Sequence, residues 1–261
     1  MLRLLLDARR ARKQGPAAIA QRQRDRFTEM VAFARANSPY YRELYRNLPE
    51  EVTDLTPLPV TSKKELMARF DDWVTDREVT SERVRTFVDN PNRIGEWFMG
   101  KYTVATTSGT TGTPGIFLLD DRSFAVTGAL ALRMLSAWLT VRDVIRIIVG
   151  GGRMAMINAT GGHFASAIAA VRLSRRLGKA IQVLPVHMPL AEMVTRLNQF
   201  RPAILAPYAS MAALLAGEQE AGRLQINPVL LVLSAEGLPA GYFYLIAMVF
   251  KVKALNSYAS T

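Results

Sequence analysis

Thr106-Thr107-Ser108-Gly109-Thr110-Thr111-Gly112-Thr113-Pro114-Gly115 is the most informative stretch of this 261-residue chain. An alternating run, Lys101-Tyr102-Thr103-Val104-Ala105, precedes it, and a short apolar run, Ile116-Phe117-Leu118-Leu119, follows. The spacing predicts a strand, a glycine-rich turn and a second strand. Five hydroxyl side chains (Thr107, Ser108, Thr110, Thr111 and Thr113) alternate with Gly109, Gly112 and Gly115. Glycine lets backbone N–H groups turn toward one point, and Ser and Thr hydroxyls add donors that reach the same point. Converging donors of this kind cradle an anion, and a polyphosphate would use so many. A solvated hairpin turn has the same residue types, but three glycines and five hydroxyls exceed what such a turn needs. The pattern is not a Walker A loop, because no lysine occurs between Lys101 and Lys179.

Length and composition set outer bounds. The chain is long enough for one large or two small domains, and its 49% hydrophobic and 21% charged residues are those of a globular protein. No apolar run is long enough to span a bilayer, and the start of the chain lacks a signal-peptide pattern, so no stable membrane insertion and a cytoplasmic location are expected. The absence of cysteine excludes disulfides and thiolate metal sites, and two histidines leave little for a His-based one. No metal-ligating residues are therefore assigned. The net charge of +11 comes partly from Arg3, Arg9, Arg10, Arg12, Lys13, Arg22, Arg24 and Arg26, and partly from Arg172, Arg175, Arg176 and Lys179. Such a balance suits a nucleic acid, an anionic membrane or an anionic substrate. No nucleic-acid recognition motif is visible and aromatics do not interleave with the basic groups, so a nucleic-acid partner is not expected.

In chain order, 1–48 read as helical with a break at Gly15-Pro16. Ser38 and Pro39 open one helix, and Ser62 caps another after two prolines. Residues 71–100 are charged and carry Asp89-Asn90-Pro91-Asn92, which suggests a connection. Beyond the loop, helices are expected over 121–139, 162–177, 190–200, 210–221 and 240–250. Strands are expected over 144–149 (buried), 180–185, 203–206, 229–233 and 252–255. This alternation predicts an α/β fold: a mainly parallel sheet flanked by helices, with a helical N-terminal segment. The domain division expected is 1–100 and 101–261, the latter the nucleotide-binding part. Ligands on such sheets collect at the carboxyl ends of the strands, a rim predicted to hold Gly150, Val186-His187, Pro207-Tyr208, Ser234-Ala235-Glu236 and 256–261.

The run Thr107-Ser108-Gly109-Thr110-Thr111-Gly112-Thr113-Pro114 resembles the phosphate loop of the adenylate-forming enzymes, which include acyl-CoA synthetases, luciferases and peptide-synthetase adenylation domains. Many members carry a lysine where this chain has Gly115. The phenylacetate-CoA ligase branch often lacks it, and the segments 38–45 and 55–66 are similar to that branch as well. Ser234-Ala235-Glu236-Gly237 resembles the turn that lines adenine in the family. Asn256-Ser257-Tyr258-Ala259-Ser260-Thr261 resembles its Tyr-Gly-x-Thr-Glu motif, with Ala259 in the glycine position. The resemblance implies that Tyr258 stacks beside adenine, that Thr261 contacts the α-phosphate, and that His163 lies near the acyl pocket. A satisfied structural histidine is the plainer alternative for His163. The implied reaction is adenylation of a small carboxylic acid by ATP with Mg²⁺, then transfer to a thiol, commonly CoA. The family's glutamate would be the next residue after Thr261, so the resemblance covers an N-terminal part, expected to have little activity alone and to need a C-terminal half.

Two other classes stand beside this one. Gly150-Gly151-Gly152-Arg153-Met154-Ala155 follows the strand expected over 144–149 and fits a relaxed dinucleotide fingerprint, Gly-x-Gly-x-x-Ala. No Asp or Glu occurs from Met154 to Leu190 to hold a ribose, which leaves an NADP-binding oxidoreductase read by Arg175 or Arg176. The other class is a non-catalytic module that binds ATP or a carrier without turnover. No hydrolase nucleophile elbow occurs.

Overall fold

The computed structural model describes residues 2–107, 109, 114–234, 236–237 and 239–257, with the backbone alone at 136–137 and 253–257. Two compact units result, one of residues 1–90 with 97–133, the other of 91–96 with 134–261.

The first unit starts with α1 (Leu2–Gln14), α2 (Pro16–Asn37) and α3 (Pro39–Leu44). The break expected at Gly15-Pro16 is present: Gly15 has φ +89°, and Pro16 takes the first helical position, where its missing N–H costs nothing. Ser38 is fully buried and works in both directions. Its hydroxyl accepts from Tyr41 N (3.2 Å), capping α3, and donates to Asp72 O (3.1 Å). Next come α4 (Lys63–Ala68), α5 (Phe70–Trp73) and α6 (Ser81–Val88). Ser62 and Glu65 form a reciprocal capping box at the start of α4.

The stretch 71–100 is not the mere connection its charge suggests. It carries α6 and supplies Val74, Val79, Val84, Phe87 and Phe98 to a core completed by Met67, Phe70, Val104 and Ile116. Val84 and Phe87 lie three apart on one face of a short helix, and the arginines on either side of Val84, Arg83 and Arg85, hide that periodicity. The strands β1 (Thr103–Thr106) and β2 (Ile116–Leu119) pair antiparallel, Thr103 opposite Leu119 and Thr106 opposite Ile116. The two expected strands are therefore present and paired. The pair packs edge-on through Phe117 against Trp73 (ring centroids 5.9 Å apart).

From α7 (Asp121–Trp138) the chain runs into α8 (Val141–Val149), which replaces the buried strand expected over 144–149. Thr140 and Asp143 form a capping box there, and Val141, Val144, Ile145 and Ile148 follow helical spacing. The cap outweighs the β-branched composition, and no residue of α8 is buried. Gly150, Gly151 and Gly152 then end this helix: their N–H groups donate to Arg146, Ile148 and Ile147 carbonyls, with Gly151 and Gly152 at positive φ. A strand follows, β3 (Met154–Asn158). The dinucleotide fingerprint needs the opposite order, strand before glycines and helix after. That overturns the NADP oxidoreductase alternative. It also moves Gly150 from the predicted rim to the amino end of the sheet.

The rest alternates as expected: α9 (Ala165–Leu177), β4 (Ile181–Pro185), α10 (Leu190–Phe200), β5 (Ile204–Pro207), α11 (Ala209–Glu220), β6 (Leu230–Ser234), α12 (Ala240–Phe250) and β7 (Lys253–Ser257). The five strands β3–β7 form one parallel sheet in the order β4-β3-β5-β6-β7. Consecutive Leu230 and Leu231 point to opposite faces and are both fully buried, so the sheet is covered on both sides. Ala155, Ile157, Leu205, Leu231 and Leu233 pack with Met193 and Leu197 of α10, Leu215 of α11 and Ile246 of α12.

Candidate functional site

In the first unit, the ends of the hairpin loop are held by Thr107 and Gly115. Thr107 N donates to Gly115 O (3.0 Å), and Gly115 N donates to Thr107 Oγ1 (2.8 Å). The Thr107 oxygen is thus an acceptor within the protein. Gly109 sits at φ +71°, and a Cβ there would come within 2.8 Å of the Pro114 ring. Gly115 is just as confined, since a Cβ would meet Phe117 at 2.6 Å and Lys63 Cδ at 3.1 Å. Ser108, Thr110, Thr111, Gly112 and Thr113 lie outside the described residues.

Lys63 was missed from sequence. It is the first residue of α4, and its Cδ lies 3.1 Å from where a Cβ on Gly115 would stand. Nothing local announces this, because 52 residues of chain separate the two positions.

Below the hairpin, Tyr102 Oη donates to Asp76 Oδ2 (2.7 Å). Burial, then this bond, pushes the Tyr102 hydroxyl up to about 12. The same bond, helped by the Glu78 N–H, holds the Asp76 carboxyl below its ordinary value. Asp120 is likewise lowered, by the hydroxyl and N–H of Ser123, which it caps at 2.7 and 2.8 Å. These carboxylates are engaged by the protein itself.

In the second unit, the carboxyl ends of the strands gather several of the expected residues. Ser234 ends β6, bridges to Tyr208 after β5 and faces Ser257 at the end of β7. The Tyr208 hydroxyl oxygen accepts from Ala159 N (3.0 Å), tying the β5 and β3 ends together. Glu236 is exposed, and its carboxylate accepts from Ser210 N (2.8 Å) in the first turn of α11. That is a favourable place for a negative charge. Its carboxylate is therefore occupied in capping.

His163, between β3 and α9, is buried at 2% exposure, whereas His187 is exposed. Asn158 at the end of β3 is also 2% exposed. Its Nδ2 donates to Ser166 O (3.0 Å), and its buried Oδ1 accepts no hydrogen bond from the described residues. Asn158 was missed because the strand containing it was not anticipated. Ala235, Tyr258 and Thr261 lie outside the described residues. Among the described residues, no three His, Asp or Glu side chains cluster as a metal site. Nor is any helix there long and apolar enough to cross a membrane.

No protein-family model and no curated protein matches the chain. Solved structures do. An open conformation of 2-hydroxyisobutyryl-CoA ligase in complex with 2-HIB-AMP and CoA is similar over 92% of this chain and 49% of that chain, with a TM-score of 0.55 and 18% identity. The same ligase in its thioesterification state gives 93% and 49%, a TM-score of 0.55 and 17% identity. Its postadenylation state with 2-HIB-AMP gives 94% and 48%, 0.54 and 16%. The chain thus spans about half the length of the ligases it matches. Over that half it shares the α/β fold of these ligases.

Proposed function

We propose that this chain is the nucleotide- and acid-binding part of an adenylate-forming acid–thiol ligase of the phenylacetate-CoA ligase type. The observation that carries this is the hairpin. Its loop of Thr, Ser and Gly, closed by the Thr107–Gly115 pair, occurs on a chain with the fold of such ligases. The functional division is taken at residue 100, with 101–261 forming the nucleotide-binding part. Thr107, Ser108, Gly109, Thr110, Thr111, Gly112 and Thr113 would hold the β- and γ-phosphates of ATP. Ser234, Ala235, Glu236 and Tyr258 would line adenine, Thr261 would contact the α-phosphate, and His163 would border the acid.

A carboxylate oxygen of the acid attacks the α-phosphorus, and the bond to the bridging oxygen breaks. Pyrophosphate leaves with the electron pair, and acyl-AMP remains. A thiol, commonly that of CoA, then takes the acyl group and AMP leaves. Preorganised loop donors act on the charge that grows on the departing pyrophosphate, where one such donor is worth ~2.7–4 kcal/mol. The Lys63 stem beside Gly115 supports a further part: a lysine from α4 supplying the cation that the loop itself lacks. Mg²⁺ would arrive with ATP and neutralise part of the phosphate charge.

MgATP titration into the 261-residue chain by calorimetry tests this directly. Thr110→Ala with Thr111→Ala, and separately Lys63→Ala, should each weaken binding by about tenfold or more. Acid-dependent ATP–pyrophosphate exchange then tests the chemistry. Nucleotide affinity unchanged by the loop substitutions would overturn the assignment.

A further inference from the structure

The second unit carries an open cavity of about 640 Å³ at the amino ends of β3, β5 and β6. This is the edge of the sheet opposite Asn158, Tyr208 and Ser234. Three arginines line it: Arg146 from the last turn of α8, Arg153 just before β3, and Arg201 between α10 and β5. Arg153 and Arg201 also line an adjoining open space of about 650 Å³. No acidic residue lines either space. Among the described residues, no carboxylate pairs with any of the three arginines. Among the described residues, the one side-chain hydrogen bond they make is Arg153 Nε to Arg201 O (3.2 Å). That bond fixes the Arg153 guanidinium and leaves its terminal N–H groups to the cavity.

A plainer explanation is that Arg146 and Arg201 merely answer the negative ends of α8 and α10. Each helix end carries roughly half an elementary charge. Two ends offset about one of the three positive charges, leaving roughly two unbalanced around one cavity. Guanidinium forks match phosphate oxygens bidentately. Ile145, Val149 and Ile226 add an apolar wall beside the forks.

We propose that this cavity binds a small molecule carrying two or more phosphates, held by Arg146, Arg153 and Arg201. The site is separate from the hairpin loop, which belongs to the other compact unit. Inorganic tripolyphosphate and ATP share the required chemistry, and the experiment distinguishes them.

The test is calorimetric titration of the full chain with tripolyphosphate, with ATP and with an octaglutamate peptide, at low and at physiological salt. The variant is Arg146→Gln with Arg201→Gln, whose guanidinium groups make no hydrogen bond within the described residues. Arg9→Gln with Arg10→Gln is the charge-matched control. The expected result is saturable tripolyphosphate binding, weakened about tenfold or more by the cavity variant and little changed by the control. It should persist in Thr110→Ala with Thr111→Ala, which separates this site from the loop. Tighter binding of ATP than of tripolyphosphate at this site would identify a nucleotide as the occupant; equal binding would identify the phosphate chain alone. Equal losses in cavity variant and control would overturn the proposal. So would octaglutamate binding that depends on Arg146 and Arg201 while tripolyphosphate does not bind.

Discussion

The Asp76 carboxylate accepts from the Tyr102 hydroxyl at 2.7 Å and from the Glu78 N–H at 3.0 Å, with Lys101 Nζ 3.6 Å away. These contacts depress its folded-state pKa, the Tyr102 bond most. A depressed carboxyl contributes stability above its unfolded value of about 4, and loses it as pH falls through the lower folded value. Asp76→Asn should therefore cost about 1 kcal/mol at neutral pH, and flatten the decline in stability below about pH 4. Urea unfolding of both proteins across that range measures the difference. Single residues were legible where their chemistry is local. Ser38 and Ser62 read as caps because a hydroxyl ahead of a helix has few other uses, and both do cap. Glu236 was placed at a strand end from sequence, but its bond to Ser210 N spans 26 residues and has no local sign. Lys63 beside Gly115 was invisible for the same reason.

At the scale of elements, α8 tests whether period or residue type decides. Its β-branched residues suggest a strand, yet the Thr140–Asp143 capping box and the spacing of its apolar positions make a helix with no buried residue. Ile148 is 68% exposed. Ile148→Glu should then change stability by no more than about 0.5 kcal/mol, as surface substitutions usually do. A loss of several kcal/mol would mean that Ile148 is buried, as in the strand first expected. The helices at 190–200 and 240–250 were legible to the residue, being long and periodic. Termini of the short strands drifted by a residue or so, since hydrogen-bonded partners far along the chain decide where a strand stops. The stretch 71–100 was misjudged for a related reason: a core can be built from a few apolar residues set among many charges.

For the molecule as a whole, linkage offers a test independent of any assay of turnover. A ligand that binds only the folded state at about 100 times its Kd adds about 2.7 kcal/mol of stability. Saturating MgATP should raise the resistance of this chain to urea by about that much, and at the same MgATP concentration Thr110→Ala with Thr111→Ala should cut the gain to about half or less. The fold class, the helix–strand alternation after residue 160 and the pair of strands flanking the hydroxyl-rich loop were all determined by sequence alone. Each rests on periodicity and turn chemistry that act within a few residues. Tertiary structure alone decided the rest. It turned Gly150–Gly152 into a helix end, brought Lys63 to Gly115, occupied the Glu236 carboxylate with α11, and gathered Arg146, Arg153 and Arg201 around one cavity. Those outcomes depend on which distant residues share a neighbourhood, and packing creates that proximity only when the whole sheet and its covering helices assemble.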